Sequence, residues 1–388
     1  MSTPDPIELS QALIRCPSVT PADAGALAVV DAALTPLGFA CHRLKFAESG
    51  TAPIENLYAR IGTQGPNFCF AGHTDVVPPG DAKLWRHDPF AAVIDSGTLY
   101  GRGAADMKSA IAAFIAAASR YIESGKPYGS ISLLITGDEE GIATNGTAKV
   151  LTWLAEKGER LDHCIVGEPT SEVRAGDTIK IGRRGSLNTR LAVRGTQGHV
   201  AYPKRAANPL PAMAALVTLL SSEVLDQGNE HFDPSTLNFT TIDTGNTATN
   251  VIPAEAKAGF NIRFTDQHTP DSLKARIAKA VDTIRKQFGC EIETIFQLSG
   301  VSFLTAPGPF TNLLSNAVRN VTGKVPQYST TGGTSDARFI KDYCPVAELG
   351  LSNATMHKAN ECSKIEDIHL LADIYTQVLN SYFAAPPR

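Results

Sequence analysis

Three strand-like runs, Asn67–Ala71, Ser130–Thr136 and His163–Val166, each end in a loop that carries histidine or acidic residues: AGHTD, TGDEEG and GEPT. Between the first two lies an Ala-rich stretch, Ser109–Ile122, with helical character. Strand-like runs alternating with helical ones are the rhythm of a layered α/β domain. In such sheets, binding groups gather in the loops beyond the carboxyl ends of the strands. Polar chemistry repeated at that position therefore constrains both the fold and the place where a site must lie.

The chain has 388 residues, which at roughly 100–200 residues per domain points to two or three domains. Residues 180–294 read differently from the start. Lys180–Arg194 looks like a strand pair around Gly185, Pro209–Val224 a helix, Leu237–Ile242 and Ala256–Phe264 strands, and Ser272–Phe288 a helix with Ile277, Val281 and Ile284 on one face. The organisation expected is a mixed-sheet α/β catalytic domain built from residues 1–179 and 295–388. A smaller α+β domain, 180–294, is inserted in it.

Lys and Arg number 35 against 39 Asp and Glu, a net charge of −4, so no global positive field recruits nucleic acid or an anionic membrane. The seven cysteines (16, 41, 69, 164, 290, 344, 362) form no C-x-x-C. That usage fits reduced thiols better than a disulfide frame or a thiolate zinc site. MSTPDPIELSQ lacks a basic region followed by an apolar one, and the longest apolar stretch, Ala110–Ala118, is too short to span a bilayer. The expectation is a soluble, cytoplasmic protein whose partners are small molecules.

Five residues stand out as metal ligands. In His73-Thr74-Asp75, residues two apart at a strand end face the same way, so the carboxylate can hold one imidazole nitrogen while the other meets a metal. A solvated loop histidine is the plainer alternative. Asp106, in GRGAADMK (101–108), stands just before the helical run, where a helix N-cap would explain it equally well. Asp138, Glu139 and Glu140 repel one another and would ordinarily sit on a solvated turn. Their crowding has a purpose if one binds a metal and the next takes a proton from the attacking water. Glu168, in VGEPT, repeats the arrangement, and His357, in NATMHKANE (353–361), is by itself a surface histidine.

Together His73, Asp106, Glu140, Glu168 and His357 supply two imidazoles and three carboxylates, a set suited to zinc or another borderline divalent ion. Two doubly charged cations are balanced by three carboxylates and one hydroxide. A shared carboxylate can bridge ions roughly 3.5–4 Å apart. Glu139 is then left over as the general base.

The strings HTDVVPPGD (73–81), GRGAADMK, TGDEEG, GEPT, GRRGS (182–186), GTQGHVAYP (195–203), NVIP (250–253), NIRF (261–264), GGTSDARF (332–339) and NATMHKANE resemble, in order, those of the di-zinc amidohydrolases, a family that includes aminoacylases and acetylornithine deacetylases. The match covers residues 70–361 and leaves the first 60 residues almost untouched. The resemblance implies a zinc-peptidase-like catalytic domain with an inserted lid and dimerisation domain, and two zinc ions per subunit, cobalt substituting in one site. Asp106 would bridge, with His73 and Glu168 on one ion and Glu140 and His357 on the other. Asp75 would orient His73, and Glu139 would carry the proton to the leaving amine. His199 would stabilise the oxyanion by reaching into a dimer partner's site; alone it reads as a turn histidine in a Gly-rich loop.

The activity implied is hydrolysis of N-succinyl-L,L-2,6-diaminopimelate to L,L-2,6-diaminopimelate and succinate, a step toward lysine. Such a substrate ends in free carboxylates, for which the arginine fork is suited. The resemblance favours Arg183 and Arg263, surrounded by Ser186, Tyr202, Asn250, Gly333, Thr334 and Asn353, whereas Arg184 reads as a solvated cross-strand partner. A homodimer through residues 180–294 is implied, and hinges near 180 and 294 would allow closure. The runner-up activity is deacylation of acetylornithine or another N-acyl amino acid, whose acetyl group gives those guanidiniums nothing to meet. A silent scaffold on the same fold would lack a ligand or the base, and no position here is substituted.

Overall fold

The computed structural model describes residues 3–126 and 129–385. By its internal contacts the chain divides into two units, one of residues 1–181, 305–329 and 335–388, the other of residues 182–304 and 330–334.

In the larger unit, β1 (Ala40–Phe46), β2 (Ile54–Ile61), β3 (Asn67–His73), β4 (Ser130–Thr136), β5 (His163–Val166), β6 (Thr178–Lys180), β7 (Gln327–Ser329) and β8 (Val346–Glu348) form one mixed sheet in the order β1-β2-β4-β3-β5-β8-β6-β7. β3 runs parallel to both β4 and β5, and β5 parallel to β8. Every residue of β3 and β4 is buried, as expected of parallel strands covered on both faces.

The covering helices are α1 (Lys108–Glu123), α2 (Thr147–Glu156), α3 (Pro309–Thr322) and α4 (Ile365–Ala384). Side chains alternate across a strand, so the two faces of β3 can be assigned from their neighbours. Phe70 stacks on Phe114 of α1 with ring centroids 4.4 Å apart, and both rings meet Tyr375 of α4 edge-on. Such pairs add about 0.5–1.5 kcal/mol each beyond area burial. Ala71 lies on the opposite face, in a row with Leu134 and Tyr58, and Tyr58 meets Trp153 of α2. α1 is enclosed on all sides from Lys108 to Ser119, and its alanines let α4 and the N-terminal helix Pro6–Ile14 approach closely. Among the described residues, no helix is long and apolar enough to cross a membrane.

The smaller unit holds a four-stranded antiparallel sheet in the spatial order Thr236–Asp243, Glu255–Phe264, Gly185–Arg194, Glu291–Gly300. Its helices, Leu210–Ser221 and Pro270–Phe288, share one core with it, in which Leu187, Leu191, Leu216, Phe260 and Ile262 meet Ile277, Val281 and Ile284. The second helix starts at a Thr269/Ser272 capping box with Pro270 in its first turn, and stops at Gly289 with φ 63°.

Two details differ from the sequence reading. The insertion was expected to end at 294, but Glu291–Gly300 pairs along Gly185–Arg194, so the smaller unit runs on to residue 304 and takes in 330–334 as well. Lys180–Arg194 is not a strand pair turning at Gly185. Thr178–Lys180 belongs to the large sheet and Gly185 opens a continuous ten-residue strand. Glycine stands there because the ring of Phe264, its cross-strand partner, occupies the space a Cβ would need.

Candidate metal centre

β3, β4 and β5 end side by side; His73 is the last residue of β3, and the loops that leave the three strands carry Asp75, Asp138–Glu140, and Glu168. The turn before α1 brings Asp106, and the loop after β8 brings His357. All belong to the larger unit. Asp106 is not the N-cap of α1: the cap position is Met107, without a side-chain capping bond. The Asp106 carboxylate instead faces two imidazoles, with Oδ1 3.1 Å from His73 Nε2 and Oδ2 3.3 Å from His357 Nε2. Glu168 Oε1 lies 3.8 Å from His73 Nε2, and Glu140 Oε1 2.9 Å from His357 Nε2. The donors form two groups, His73/Asp106/Glu168 and Asp106/Glu140/His357, with the ligand atoms of each within 4.8 Å of one another. Asp106 is common to both.

The donor chemistry fits cations. His73 Nδ1 lies 2.9 Å from the main-chain oxygen of Asp75. Its N–H donates there, which turns Nε2 toward two carboxylates. Burial pulls the His73 pKa down, yet the hydrogen bond and charge of Asp106, with Glu168 and Asp75, raise it well above the usual imidazole value. Asp106 and Glu140 raise His357 to about 10. Burial pushes Asp106 up, but the two imidazoles hold it below the carboxylate range. A cation bound at these nitrogens would neutralise the same carboxylates in place of protons.

Asp75 meets His73 through its main-chain oxygen, and its side chain has further partners. Its carboxylate, 3.7 Å from His73 Nδ1, accepts instead from the amides of Glu139 (3.2 Å) and Glu140 (3.1 Å) and from Thr20 Oγ1 (2.7 Å). Burial raises its pKa to about 6 against those donors. Glu139 is raised well above the carboxylate norm, first by burial and then by Glu168, with Asp336 and Glu140 adding to it. A carboxylate tuned upward in this way suits proton transfer near neutral pH.

Asn353, the remaining larger-unit residue of the predicted set, donates its main-chain N–H to the Ser171 carbonyl at 2.9 Å. The other predicted residues belong to the smaller unit and fall into two clusters. Arg183 Nη1 donates to the Thr331 carbonyl at 3.0 Å, in the space left by the absent side chain of Gly332; Gly333 and Thr334 follow in the same segment. Ser186 and Arg263 are cross-strand partners. Burial and then the charges of Arg184 and Arg183 lower the Arg263 pKa, and its Nη1 is buried with no hydrogen-bond acceptor. Arg184 is half-buried, with Nη1 on the Pro234 carbonyl at 2.8 Å. Three guanidiniums thus share one locality. The second cluster is exposed: His199, on the two-residue strand Gly198–His199 that pairs with Val251–Ile252, has its ring 5.8 Å from that of Tyr202, and Val200 N donates to the Asn250 carbonyl at 3.1 Å.

Residues 69–381 match the pattern of Peptidase family M20/M25/M40, and the chain belongs to that family. It is similar to the succinyl-diaminopimelate desuccinylases of Rhodospirillum centenum, 58% identical and covering 99% of each chain, and of Parvibaculum lavamentivorans, 56% identical over 98% of this chain and 96% of that one. Among solved structures, the fold is similar to the M20 family metallo-carboxypeptidase Sso-CP2 from Sulfolobus solfataricus, with a TM-score of 0.79, 18% identity and 99% and 100% coverage. It is also similar to the Bacillus subtilis YXEP protein, described as a dinuclear metal binding peptidase, with a TM-score of 0.72, 14% identity and 98% of each chain covered.

The sequence reading overlooked Arg102, Glu361 and Asp336. All three are buried, and each sits inside a string already singled out for another residue.

Proposed function

We propose that this protein hydrolyses N-succinyl-L,L-2,6-diaminopimelate to L,L-2,6-diaminopimelate and succinate, using two divalent ions, zinc by preference, with cobalt able to replace one. The observation that carries the two-ion reading is Asp106, whose two carboxylate oxygens address two different histidines. The substrate follows the relatives that match over nearly the whole chain at 54–58% identity.

His73, Glu168 and Asp106 would hold one ion, and Asp106, Glu140 and His357 the other. The chemistry such ions would supply, when bound, is polarisation of the scissile carbonyl and a water made nucleophilic near neutral pH. Glu139 accepts the proton of the attacking water and delivers it to the departing amine, so the amide and water become a carboxylate and an ammonium group. Asp75 fixes the main chain from which Glu139 projects. Arg183 and Arg263, with Ser186, Tyr202, Asn250, Gly333, Thr334 and Asn353, hold the substrate carboxylates. The buried Arg263 Nη1, which has no hydrogen-bond acceptor, supports that reading. His199 serves as oxyanion donor in a homodimer formed through the smaller unit, and the protein works in the cytoplasm.

The test is kcat/KM of the zinc-loaded protein on N-succinyl-L,L-diaminopimelate and on N-acetylornithine, side by side, with a chelator control. A chelator-sensitive preference for the succinyl compound supports the reading. Preference for acetylornithine retains the metal chemistry and overturns the substrate, and silence on both overturns the activity.

A further inference from the structure

Behind the candidate ligands lies a buried ion pair that belongs to neither ligand group. Glu361, fully enclosed, accepts the amides of Ala105 (2.9 Å) and Asp106 (3.0 Å) on Oε1 and the Arg102 Nη1 proton (2.6 Å) on Oε2. Its main-chain oxygen takes the Gly101 amide at 2.9 Å. Arg102, enclosed as well, donates further to the carbonyls of Lys358 (3.3 Å) and Pro78 (3.4 Å), with its guanidinium 5.2 Å from the Trp85 ring. The pair therefore stitches the 101–106 turn, which presents Asp106, to the loop that presents His357.

That loop needs an anchor. His357 and Asn360 both have φ of 61°, a left-handed conformation uncommon for residues with a side chain. Thr355 Oγ1 closes the loop on Cys362, donating to its carbonyl (2.9 Å) and accepting its amide (3.1 Å), and Arg102 grips the carbonyl next to His357. His73 and Glu168, by contrast, are carried by β3 and by the loop directly after β5. Two of the three ligands of the Asp106/Glu140/His357 group depend on the Arg102–Glu361 pair, and only Asp106 of the other group does.

We infer that Glu361, held by Arg102, is a positioning residue for the second ion: its carboxylate pre-sets the Asp106 main chain and the His357 loop so that the Asp106/Glu140/His357 group is formed before a cation arrives. The inference rests on the two-ion reading above.

Removing one member of a buried ion pair strands the other, so both charges are removed together. The double variants Arg102→Met/Glu361→Gln and Arg102→Met/Glu361→Leu have the same charge and nearly the same volume, and differ in whether residue 361 can accept the two amides. Zinc titration of the full-length, metal-stripped proteins, with cobalt absorption spectra as an independent readout, separates the two sites. The Gln variant, which keeps an acceptor for the two amides and loses only the Arg102 contacts, is expected to bind two ions with second-site affinity at least about 10-fold above that of the Leu variant. The Leu variant is expected to lose about 10–100-fold at the second site, the usual effect of losing an outer partner of a ligand, and far less at the first. Two ions bound by the Leu variant as in wild type, or equal weakening at both sites, would overturn the positioning role. Uptake of fewer than two ions by wild type would overturn the two-ion reading, and this inference with it. Should a variant fail to fold, amide hydrogen exchange in metal-free wild type decides: protection of Ala105 and Asp106 before any ion is added supports the inference, and exchange at exposed-loop rates overturns it.

Discussion

Asp75 holds His73 through its main-chain oxygen, 2.9 Å from Nδ1, and leaves its carboxylate to the amides of Glu139 and Glu140. One residue thus orients a candidate ligand with its backbone and the neighbouring acidic segment with its side chain. Asp75→Asn keeps the carbonyl and loses one of the carboxylate's acceptors. Its effect should fall on kcat, by about 10-fold or more, with two ions still bound. Loss of the ion at His73 in that variant, measured by metal analysis, would return the carboxylate to the role of imidazole orienter.

Glu139 is absent from both ligand groups and carries a raised pKa. Glu139→Gln should retain both metals while turnover falls by about 10²–10⁴-fold, the range for losing a general base. Metal content equal to wild type with kcat reduced is the signature. Equal loss of metal and activity would argue for a ligand.

The two groups share only Asp106. Glu168→Ala should therefore empty one site and His357→Ala the other, each variant holding about one ion where wild type holds two. Dialysis followed by elemental analysis reads this directly. Asp106→Ala should empty both.

Arg263 offers a buried guanidinium nitrogen with no acceptor. Arg263→Ala should lower kcat/KM on the succinyl substrate by about 10–100-fold, the equivalent of one charged hydrogen bond, and change acetylornithine turnover little. A uniform loss on both substrates would assign the residue to the fold or to the α-carboxylate that the two substrates share, and not to the acyl chain's carboxylate.

Asp226 gives the smaller unit an acid limit. Burial pushes its pKa up, but hydrogen bonds from Ser235, Gly228 and Thr265 hold it at about 2, below roughly 3.9 in an unfolded chain. Its folded-state pKa is depressed, so its contribution is fully present above about pH 4 and disappears as pH falls toward 2. The gap in Tm between wild type and Asp226→Asn should be widest above pH 4 and close on acidification; a gap independent of pH would assign the loss to shape and not to charge.

Much of this was legible in the residues themselves. The strand runs and their polar endings at His73, Glu140 and Glu168 follow from periodicity, because alternation and apolar continuity are local properties. The helix Pro270–Phe288, read from the sequence as Ser272–Phe288, announced itself through its stripe of Ile277, Val281 and Ile284. Tertiary pairing was not legible: the continuation of Glu291–Gly300 along Gly185–Arg194 depends on register between distant segments, and nothing local at residue 294 signals it. Asp106 escaped its ordinary role as a cap because two imidazoles compete for its oxygens, one of them on a residue 251 positions away. Glu361 was hidden for the same reason, since its partners Ala105, Asp106 and Arg102 lie more than 250 residues before it.

The order of these residues along the chain has a consequence for biosynthesis. A ribosome delivers β3, β4, β5 and all of His73, Asp106 and Glu168 within the first 168 residues, before the smaller unit begins. The other group waits for His357, on the far side of that unit. At about 5–20 residues per second, roughly 10–40 seconds separate the two events. A nascent or prematurely terminated chain accordingly carries four of the five candidate ligands and lacks the histidine that closes the second group.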